Sequence, residues 1–291
     1  MGDNKGVSLQ CHAKINLFLH VTGCREDGYH ELQSWVTFAA LADVMHVREA
    51  RQYHLVVEGP FARSLPPMQD NLITKAVNLL AERYNRKPNF MVELTKNLPI
   101  GAGLGGGSAN AAAMIRALQH FWGFEWTPED SEWLAKNLGA DVPACLADQS
   151  VIVSGIGEDL TPFTPMPSEQ YLVLAFPGVG VSTADIFAKI MPPYTPPVEN
   201  LHGLNSVEDL KKLIHETRND MMHPAMSIEP KILQAYRALS RQPGCMLARM
   251  TGSGSTCFGL FADGETARHA AAAIQRAEPD WWVRATRFLP V

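Results

Sequence analysis

The run Pro99-Ile-Gly-Ala-Gly-Leu-Gly-Gly-Gly-Ser-Ala-Asn-Ala sets five glycines against the start of an alanine-rich helix. Glycines let backbone N–H groups come close to a ligand and take positive φ. The first turn of a helix opening at Ser108 has amides without intrahelical acceptors and carries the positive end of the helix dipole. The run therefore predicts a loop that cradles an anion and leads into a helix, and a nucleotide phosphate is the expected guest.

Two familiar phosphate loops do not fit. Gly101-Ala-Gly-Leu-Gly-Gly satisfies the dinucleotide fingerprint formally, but that fingerprint needs a strand running directly into it and an acidic residue about 20 positions later. Here Pro99 intervenes between the strand-like Phe90 to Leu94 and the loop, and the residues after Ala111 read as helix through Phe121, with only Glu125 and Asp130 beyond. No Gly-Lys-Ser/Thr closes the run as a P-loop requires. A glycine-rich turn used only for close packing remains as the alternative, although a plain turn needs one or two glycines.

With 291 residues and 46% hydrophobic content the chain can bury a full core, and the length favours two domains. A net charge of -5 with scattered Lys and Arg argues against nucleic acid as a partner and for small molecules. The five cysteines, Cys11, Cys24, Cys145, Cys245 and Cys257, are odd in number and contain no C-x-x-C, so a reducing cytoplasm is expected, without a disulfide framework or zinc site. Apolar runs such as Leu172 to Phe176 fall far short of the roughly 20 residues of a membrane span, so no membrane partner is expected. Met1 to Gly6 is short and polar, and the mature chain is expected to begin near Met1.

From Lys14 to Val21 apolar Ile15, Leu17, Leu19 and Val21 alternate with Lys14, Asn16, Phe18 and His20, which predicts a half-buried strand with Lys14 and Asn16 on one face. Further strands are expected at Val36 to Leu41, Val44 to Val47, Leu55 to Val57, Phe90 to Leu94 and Val151 to Ser154. Helices are expected at Leu72 to Tyr84, Ser108 to Phe121 and Pro128 to Leu138, the last with a Thr127/Asp130 capping box, Pro128 at its first position and Gly139 as its stop. Pro162, Pro165 and Pro167 mark a hinge, and the expected domains are 1–165 and 166–291. The second contains strands at Tyr171 to Phe176, Cys245 to Met250 and Trp282 to Phe288, with helices near Val207 to Glu216, Lys231 to Leu239 and Thr266 to Ala277. The class is α+β.

The proline, glycines and small residues of Pro99 to Ala109 resemble the hallmark of the GHMP kinases. Ala13-Lys-Ile-Asn-Leu-Phe-Leu, Asp27-Gly-Tyr-His-Glu-Leu-Gln-Ser, Asn97 to Ala111, Leu138-Gly-Ala-Asp-Val-Pro and Thr251-Gly-Ser-Gly-Ser are similar, in the family's order, to its branch acting on a cytidine-diphosphate-linked methylerythritol. The resemblance implies a two-domain fold, ribosomal protein S5 domain 2-like at the N-terminus and ferredoxin-like at the C-terminus. It also implies transfer of the ATP γ-phosphoryl group to the 2-hydroxyl of that substrate, with Mg²⁺ arriving on ATP.

Carried over residue by residue, the resemblance makes Asp141 the base and Lys14 the cation that stabilises the developing alkoxide. Pro99, Gly101, Gly103, Leu104, Gly105, Gly106, Gly107 and Ser108 become the phosphate cradle, with Asn71 and Lys96 near the adenosine. Asn16, Tyr29, His30, Thr183 and Phe187 become acceptor-substrate residues, with the cytosine between Tyr29 and Phe187. Several have a plainer reading: a solvated edge lysine for Lys14, a turn former for Asp141, a structural amide for Asn16, a helix cap for Asn71, a snorkelling lysine for Lys96, ordinary core aromatics for Tyr29 and Phe187. Asp185 reads as a solvated acid at a helix start. The second glycine loop, Thr251 to Ser255, could offer amides to a diphosphate or be a tight turn between strands. The histidines have no metal-ligand spacing, so no protein-built metal site is expected. The expected assembly is a monomer or weak homodimer.

Overall fold

The computed structural model describes residues 6–65, 67–127, 129–163, 170–199, 201 and 206–289. Two long strands come first, β1 (Val7–Cys24) and β2 (His30–Glu49), and they pair with each other. The alternation in β1 predicts one wet face, yet residues 14–21 are buried on both faces. The polar face stays polar because its side chains find partners inside, as the site geometry below makes plain. Strands expected separately at Val36 to Leu41 and Val44 to Val47 are one strand: no Gly or Pro interrupts residues 36–47, and Asp43, the residue that suggests a break, is satisfied within the interior.

The contacts group the chain into two compact units, each discontinuous in sequence. The first gathers residues up to Ala13, Leu41–Ile100 and Gly105–Asp148. It holds β3 (His54–Glu58), α1 (Leu72–Arg83), β4 (Phe90–Thr95), α2 (Gly106–Trp122), α3 (Glu129–Leu138) and α4 (Asp141–Ala147). Strand β4 runs antiparallel to residues 44–49 of β2, with Val44 opposite Thr95, and parallel to β3, with His54 opposite Met91. Helix α2 packs on α1 and α4, burying Met114, Ile115 and Leu118 with Ile73, Val77 and Leu80 of α1.

Helix α2 starts two residues before the expected Ser108. Gly105 takes φ 62 and its carbonyl accepts from the Ala109 N–H at 2.8 Å, so Gly106 and Gly107 form the first turn. Glycine costs about 1 kcal/mol against alanine in a helix, which the buried Ala109 to Leu118 face offsets. At α3 the Thr127 N–H donates to the Asp130 carboxylate at 2.8 Å, as a capping box requires, while Pro128 lies outside the described residues. Gly139, at φ 114, ends that helix. Helix α4 is additional to the sequence reading. Pro143 falls in its first turn, where the missing N–H has no intrahelical partner to lose, so a proline that reads as a breaker is tolerated.

The second unit gathers Lys14–Ala40, Gly101–Leu104 and the chain from Gln149 onward. It contains β5 (Val151–Gly155), β6 (Asp159–Pro162), β7 (Tyr171–Phe176), α5 (Thr183–Phe187), α6 (Val207–Glu216), α7 (Met222–Ile228), α8 (Lys231–Ser240), β8 (Leu247–Met250), β9 (Cys257–Phe261), α9 (Gly264–Ala277) and β10 (Trp282–Arg287). Strand β5 pairs antiparallel with residues 32–36 of β2, and β6 with β5. The other sheet is antiparallel in the order β10-β7-β9-β8, and α8 and α9 pack on it and on each other. That is the β-α-β-β-α-β arrangement expected for the C-terminal half. Its core includes Val173, Ala175, Ile232, Leu239, Met250, Phe261 and Ile274. The expected boundary at 165/166, with Pro165 and Pro167, lies outside the described residues.

Buried Arg249 ties this unit together. It donates to Leu17 O at 2.5 Å and to Ile214 O and Thr217 O at 2.6 Å, so one guanidinium serves the edge of β1 and the carbonyl end of α6. Burial lowers it to about 10, which leaves it charged at neutral pH.

Near it His20 is buried on β1, and its Nε2 accepts from the Arg218 N–H at 3.3 Å. Burial pushes its pKa below 6.5, and the Arg218 and Arg249 charges act the same way while Asp220 opposes them. The unfolded chain therefore binds a proton at higher pH than the native one. Stability should fall as pH drops below about 6.5 and toward the lowered native value. Urea midpoints between pH 7.5 and 5 should show a His20-dependent decline that His20→Gln flattens. An unchanged slope in that variant would remove His20 from the acid response.

Candidate active site

The polar face of β1 is organised around Lys14, which is 2% exposed rather than a solvated edge lysine. Its Nζ donates to Asn16 Oδ1 at 2.7 Å, which brings together the two side chains that the alternation puts on one face. Asn16 Nδ2 donates to Ser34 Oγ at 2.8 Å, and the Asn16 N–H donates to Thr251 Oγ1 at 2.9 Å. Asn16 is thus a structural amide as well as a neighbour of Lys14. The backbone N–H of Lys14 donates to Leu104 O at 2.8 Å, which holds the glycine run against β1.

Residues 101–104 lie against the second glycine loop. Thr256 N–H donates to Ala102 O at 3.1 Å, and a Cβ on Gly103 would stand 2.5 Å from Gly254 O and 2.7 Å from Thr251 O. With φ 74 as well, Gly103 is a position that only glycine fills without displacing backbone. The loop 251–255 is the tight connection between β8 and β9, closed by the Thr251 N–H to Thr256 O at 3.0 Å. Around Gly101, by contrast, an added Cβ would meet nothing within 4 Å. The outer part of the run has room that its inner part lacks.

In the first unit, the amides of Gly106, Gly107 and Ser108 occupy the first turn of α2, where helix geometry supplies no intrahelical acceptor. Lys96 is held beside them. It is buried, not snorkelling, and forms an ion pair with Asp43, while a Cβ on Gly106 would come 3.1 Å from its Nζ. Asp43 also accepts from the Asn97 N–H at 2.7 Å, the Leu98 N–H at 2.8 Å and Asn110 Nδ2 at 2.9 Å. The Asn110 side chain also hydrogen-bonds the Cys11 thiol, which burial pushes up to about 12. Sequence reasoning missed Asp43. The available signal was an acidic residue inside the apolar stretch 36–47, where a carboxylate needs partners to be tolerated.

Asn71 caps α1, its Oδ1 accepting from the Ile73 N–H at 2.9 Å. Pro99 is buried between β4 and the loop. Asp141 is exposed in the first turn of α4, where the helix dipole favours a carboxylate.

The residues expected to meet the acceptor substrate fall in the second unit. Tyr29 is 61% exposed in a turn closed by the Arg25 N–H to Tyr29 O at 2.8 Å, with Gly28 at φ 85. His30 stacks on Phe187, centroids 4.7 Å apart at 18°, and meets the edge of Tyr194 at 6.4 Å. One face of Phe187 is therefore covered by His30, a pairing the sequence did not suggest. Thr183 opens α5 and its Oγ1 donates to Ser253 Oγ at 2.9 Å. Asp185 is exposed in the first turn of α5, as expected. Among the described residues no helix is long and apolar enough to cross a membrane, and no three His, Cys, Asp or Glu side chains gather as a metal site.

Two family models match the chain: GHMP kinases N terminal domain over residues 71–155 and GHMP kinases C terminal over 198–280. A Cereibacter sphaeroides protein named 4-diphosphocytidyl-2-C-methyl-D-erythritol kinase is 45% identical over 278 residues, covering 95% of this chain and 97% of that one. A Rhodospirillum rubrum protein of the same name is 40% identical over 277 residues, covering 95% and 91%. A solved structure of 4-(cytidine 5'-diphospho)-2C-methyl-D-erythritol kinase aligns at a TM-score of 0.78 with 31% identity, covering 98% of this chain and 100% of the other.

Removing the carboxylate at position 43 should leave the Lys96 ammonium buried without a counter-charge. Asp43→Ala is expected to cost about 3–5 kcal/mol in urea unfolding, and Asp43→Ala/Lys96→Met to recover part of that loss by removing the stranded charge. A double variant no more stable than Asp43→Ala would mean that the pair is not what Asp43 supports.

Proposed function

Because this chain belongs to the GHMP kinases, we propose that it transfers the γ-phosphoryl group of ATP to the 2-hydroxyl of 4-diphosphocytidyl-2-C-methyl-D-erythritol, a step toward isoprenoid precursors, with Asp141 and Lys14 carrying the chemistry. The observation that carries the reading is a likeness running almost the whole length of relatives named for one kinase activity. Phosphoryl transfer asks little covalent work of a protein. It needs a phosphate cradle, a cation and a carboxylate directed at the attacking hydroxyl.

In this reading residues 1–165 form the ATP-binding domain and 166–291 the substrate-binding domain. Pro99, Gly101, Gly103, Leu104, Gly105, Gly106, Gly107 and Ser108 make the cradle. The helical first turn at Gly106 to Ser108 supports it, since amides there point at the ligand and the dipole favours negative charge. Asn71 and Lys96 flank the adenosine. Asp141 takes the proton from the acceptor hydroxyl, and Lys14 stabilises the oxygen that becomes negative. With Mg²⁺ bound, the ATP phosphates would carry less net charge, and such an ion, keeping several waters, would ask for only one or two protein ligands. Asn16 and Thr183 contact the methylerythritol. Tyr29 and Phe187 supply aromatic surface for the cytosine, and His30, steadied by its stack on Phe187, supplies a polar edge. The setting is the cytoplasm, and the assembly a monomer or weak homodimer.

Asp141→Asn should leave ATP affinity nearly intact in calorimetry and lower kcat by about 10²-fold or more, the scale of a lost general base. Purified Asp141→Asn turning over at near the wild-type rate would take Asp141 out of the mechanism. Lys14→Ala should also lower kcat, and the double variant should fall little below the worse single.

The cytosine lies far from the reacting hydroxyl, so its contacts are alike in ground and transition states. Tyr29→Ala and Phe187→Ala should each raise KM for the cytidine substrate by about 10-fold or more, leaving kcat less affected and ATP binding untouched. If both folded variants keep the wild-type KM, the cytidyl specificity is wrong, and a panel of small alcohols becomes the way to find the acceptor.

A further inference from the structure

We infer that Ser34 is a positioning residue for Lys14, acting through the Asn16 amide; the inference rests on the catalytic reading of Lys14 above. Three side chains and a carbonyl form one line inside the second unit. Lys14 Nζ donates to Asn16 Oδ1 at 2.7 Å, Asn16 Nδ2 donates to Ser34 Oγ at 2.8 Å, and Ser34 Oγ donates to Phe18 O at 2.6 Å. Lys14, Asn16 and Ser34 are all buried.

The donor and acceptor inventory leaves this line a single direction. A backbone carbonyl only accepts, so the one hydroxyl hydrogen of Ser34 goes to Phe18 O, and toward Asn16 its oxygen can offer only a lone pair. Asn16 must therefore turn its NH₂ to Ser34. That turns Oδ1 to Lys14, whose ammonium only donates. A flipped amide would face a donor at Lys14 and an oxygen lone pair at Ser34, and would be wrong at both ends. A lone asparagine has no preferred sense for its amide, but this one is set by the hydroxyl it donates to, two hydrogen bonds from Lys14.

The Asn16 backbone is held as well, through its N–H to Thr251 Oγ1 at 2.9 Å, so the amide cannot adjust by moving the strand. The consequence falls on the lysine. A four-carbon side chain with free rotamers is a poor electrostatic catalyst, because stabilisation of a developing alkoxide needs the ammonium in place before reaction. Ser34 touches no reacting atom in this scheme. It fixes the acceptor against which Lys14 is oriented.

The same logic separates Ser34 from an ordinary buried hydroxyl. A structural role predicts lost stability with kinetics unchanged in the folded fraction. A positioning role predicts lost kcat at full folding, with the hydroxyl itself responsible. Threonine keeps the hydroxyl on a strand, where a β-branched side chain is well accommodated.

The test is steady-state kinetics on Ser34→Ala, Ser34→Thr and Ser34→Ala/Lys14→Ala with ATP and the cytidine substrate. Ser34→Ala should lower kcat about 10-fold or more, with KM for ATP within about two-fold of wild type, and Ser34→Thr should recover most of the loss. Adding Ser34→Ala to Lys14→Ala should change kcat by less than about two-fold, since the lysine it serves is gone. Should Ser34→Ala not fold, Ser34→Cys, close in volume but a weak donor, takes its place with the same expectations. A folded hydroxyl-free variant with wild-type kcat would overturn the inference, as would a full multiplicative loss on top of Lys14→Ala. If Lys14→Ala alone keeps the wild-type kcat, it is the catalytic reading of Lys14 that fails.

Discussion

The Asp43 carboxylate sits inside a strand, where a charge without partners is several kcal/mol out of balance. Four donors answer it: the Lys96 ammonium, the N–H groups of Asn97 and Leu98, and the Asn110 amide. Those donors come from three places, namely the end of β4, the stretch leading to the glycine run, and the second turn of α2. One buried charge thereby sets where the chain leaves β4 and where α2 begins. The glycines between those points need no regular hydrogen bonding of their own, because both their ends are already held. The same ion pair leaves a lysine beside the first turn of α2, where positive charge accumulates and a phosphate is the natural complement.

The second unit solves a similar problem by a different route. Lys14, Asn16 and Ser34 bring polar atoms into the interior of β1 and β2, and Arg249 brings a full charge, yet among the described residues no carboxylate holds Arg249. Carbonyl oxygens serve instead, at a strand edge and at a helix end, where they lack intrahelical donors. Close backbone approach at Gly103 against the turn 251–255 completes the arrangement. In each place a polar group inside the fold is matched to its donors or acceptors, which is the condition for such groups to specify a geometry rather than destabilise it.

Six of the helices and three strands of the second-half sheet are plain in the chain, whereas α7 and β9 were not among the expected elements. Strand β7 and helix α6 have the expected limits, and α8, α9 and β10 lie within two residues of them, because apolar period and capping residues act locally. Strand β2 was harder, since Ala40 to Val44 looks like a break until Asp43 is seen to have partners more than fifty residues away. Helix α4 was hidden by Pro143, which is a breaker in mid-helix and harmless in a first turn. Of the candidate site, the glycine run, Lys14 and Asn16 could be read from spacing. Asp43, Ser34 and the His30 stack on Phe187 could not.

What the sequence by itself determined is the kind of protein this is: an α+β kinase chain with a glycine-rich loop opening a helix, a lysine and an asparagine on one strand face, and motifs in the order of the GHMP kinases. Those features are local or combinatorial, and they survive without knowledge of what touches what. The tertiary structure alone decided that the strand face of Lys14 is dry, that Lys96 belongs to Asp43, that Asn71 spends its oxygen on a cap, and that the Asn16 amide points one way. The physical reason is that the state of a polar side chain depends on burial and on partners brought together by folding. Ser34 is 18 residues from Asn16 and Thr251 is 235 from it, and no periodicity along the chain records that they meet.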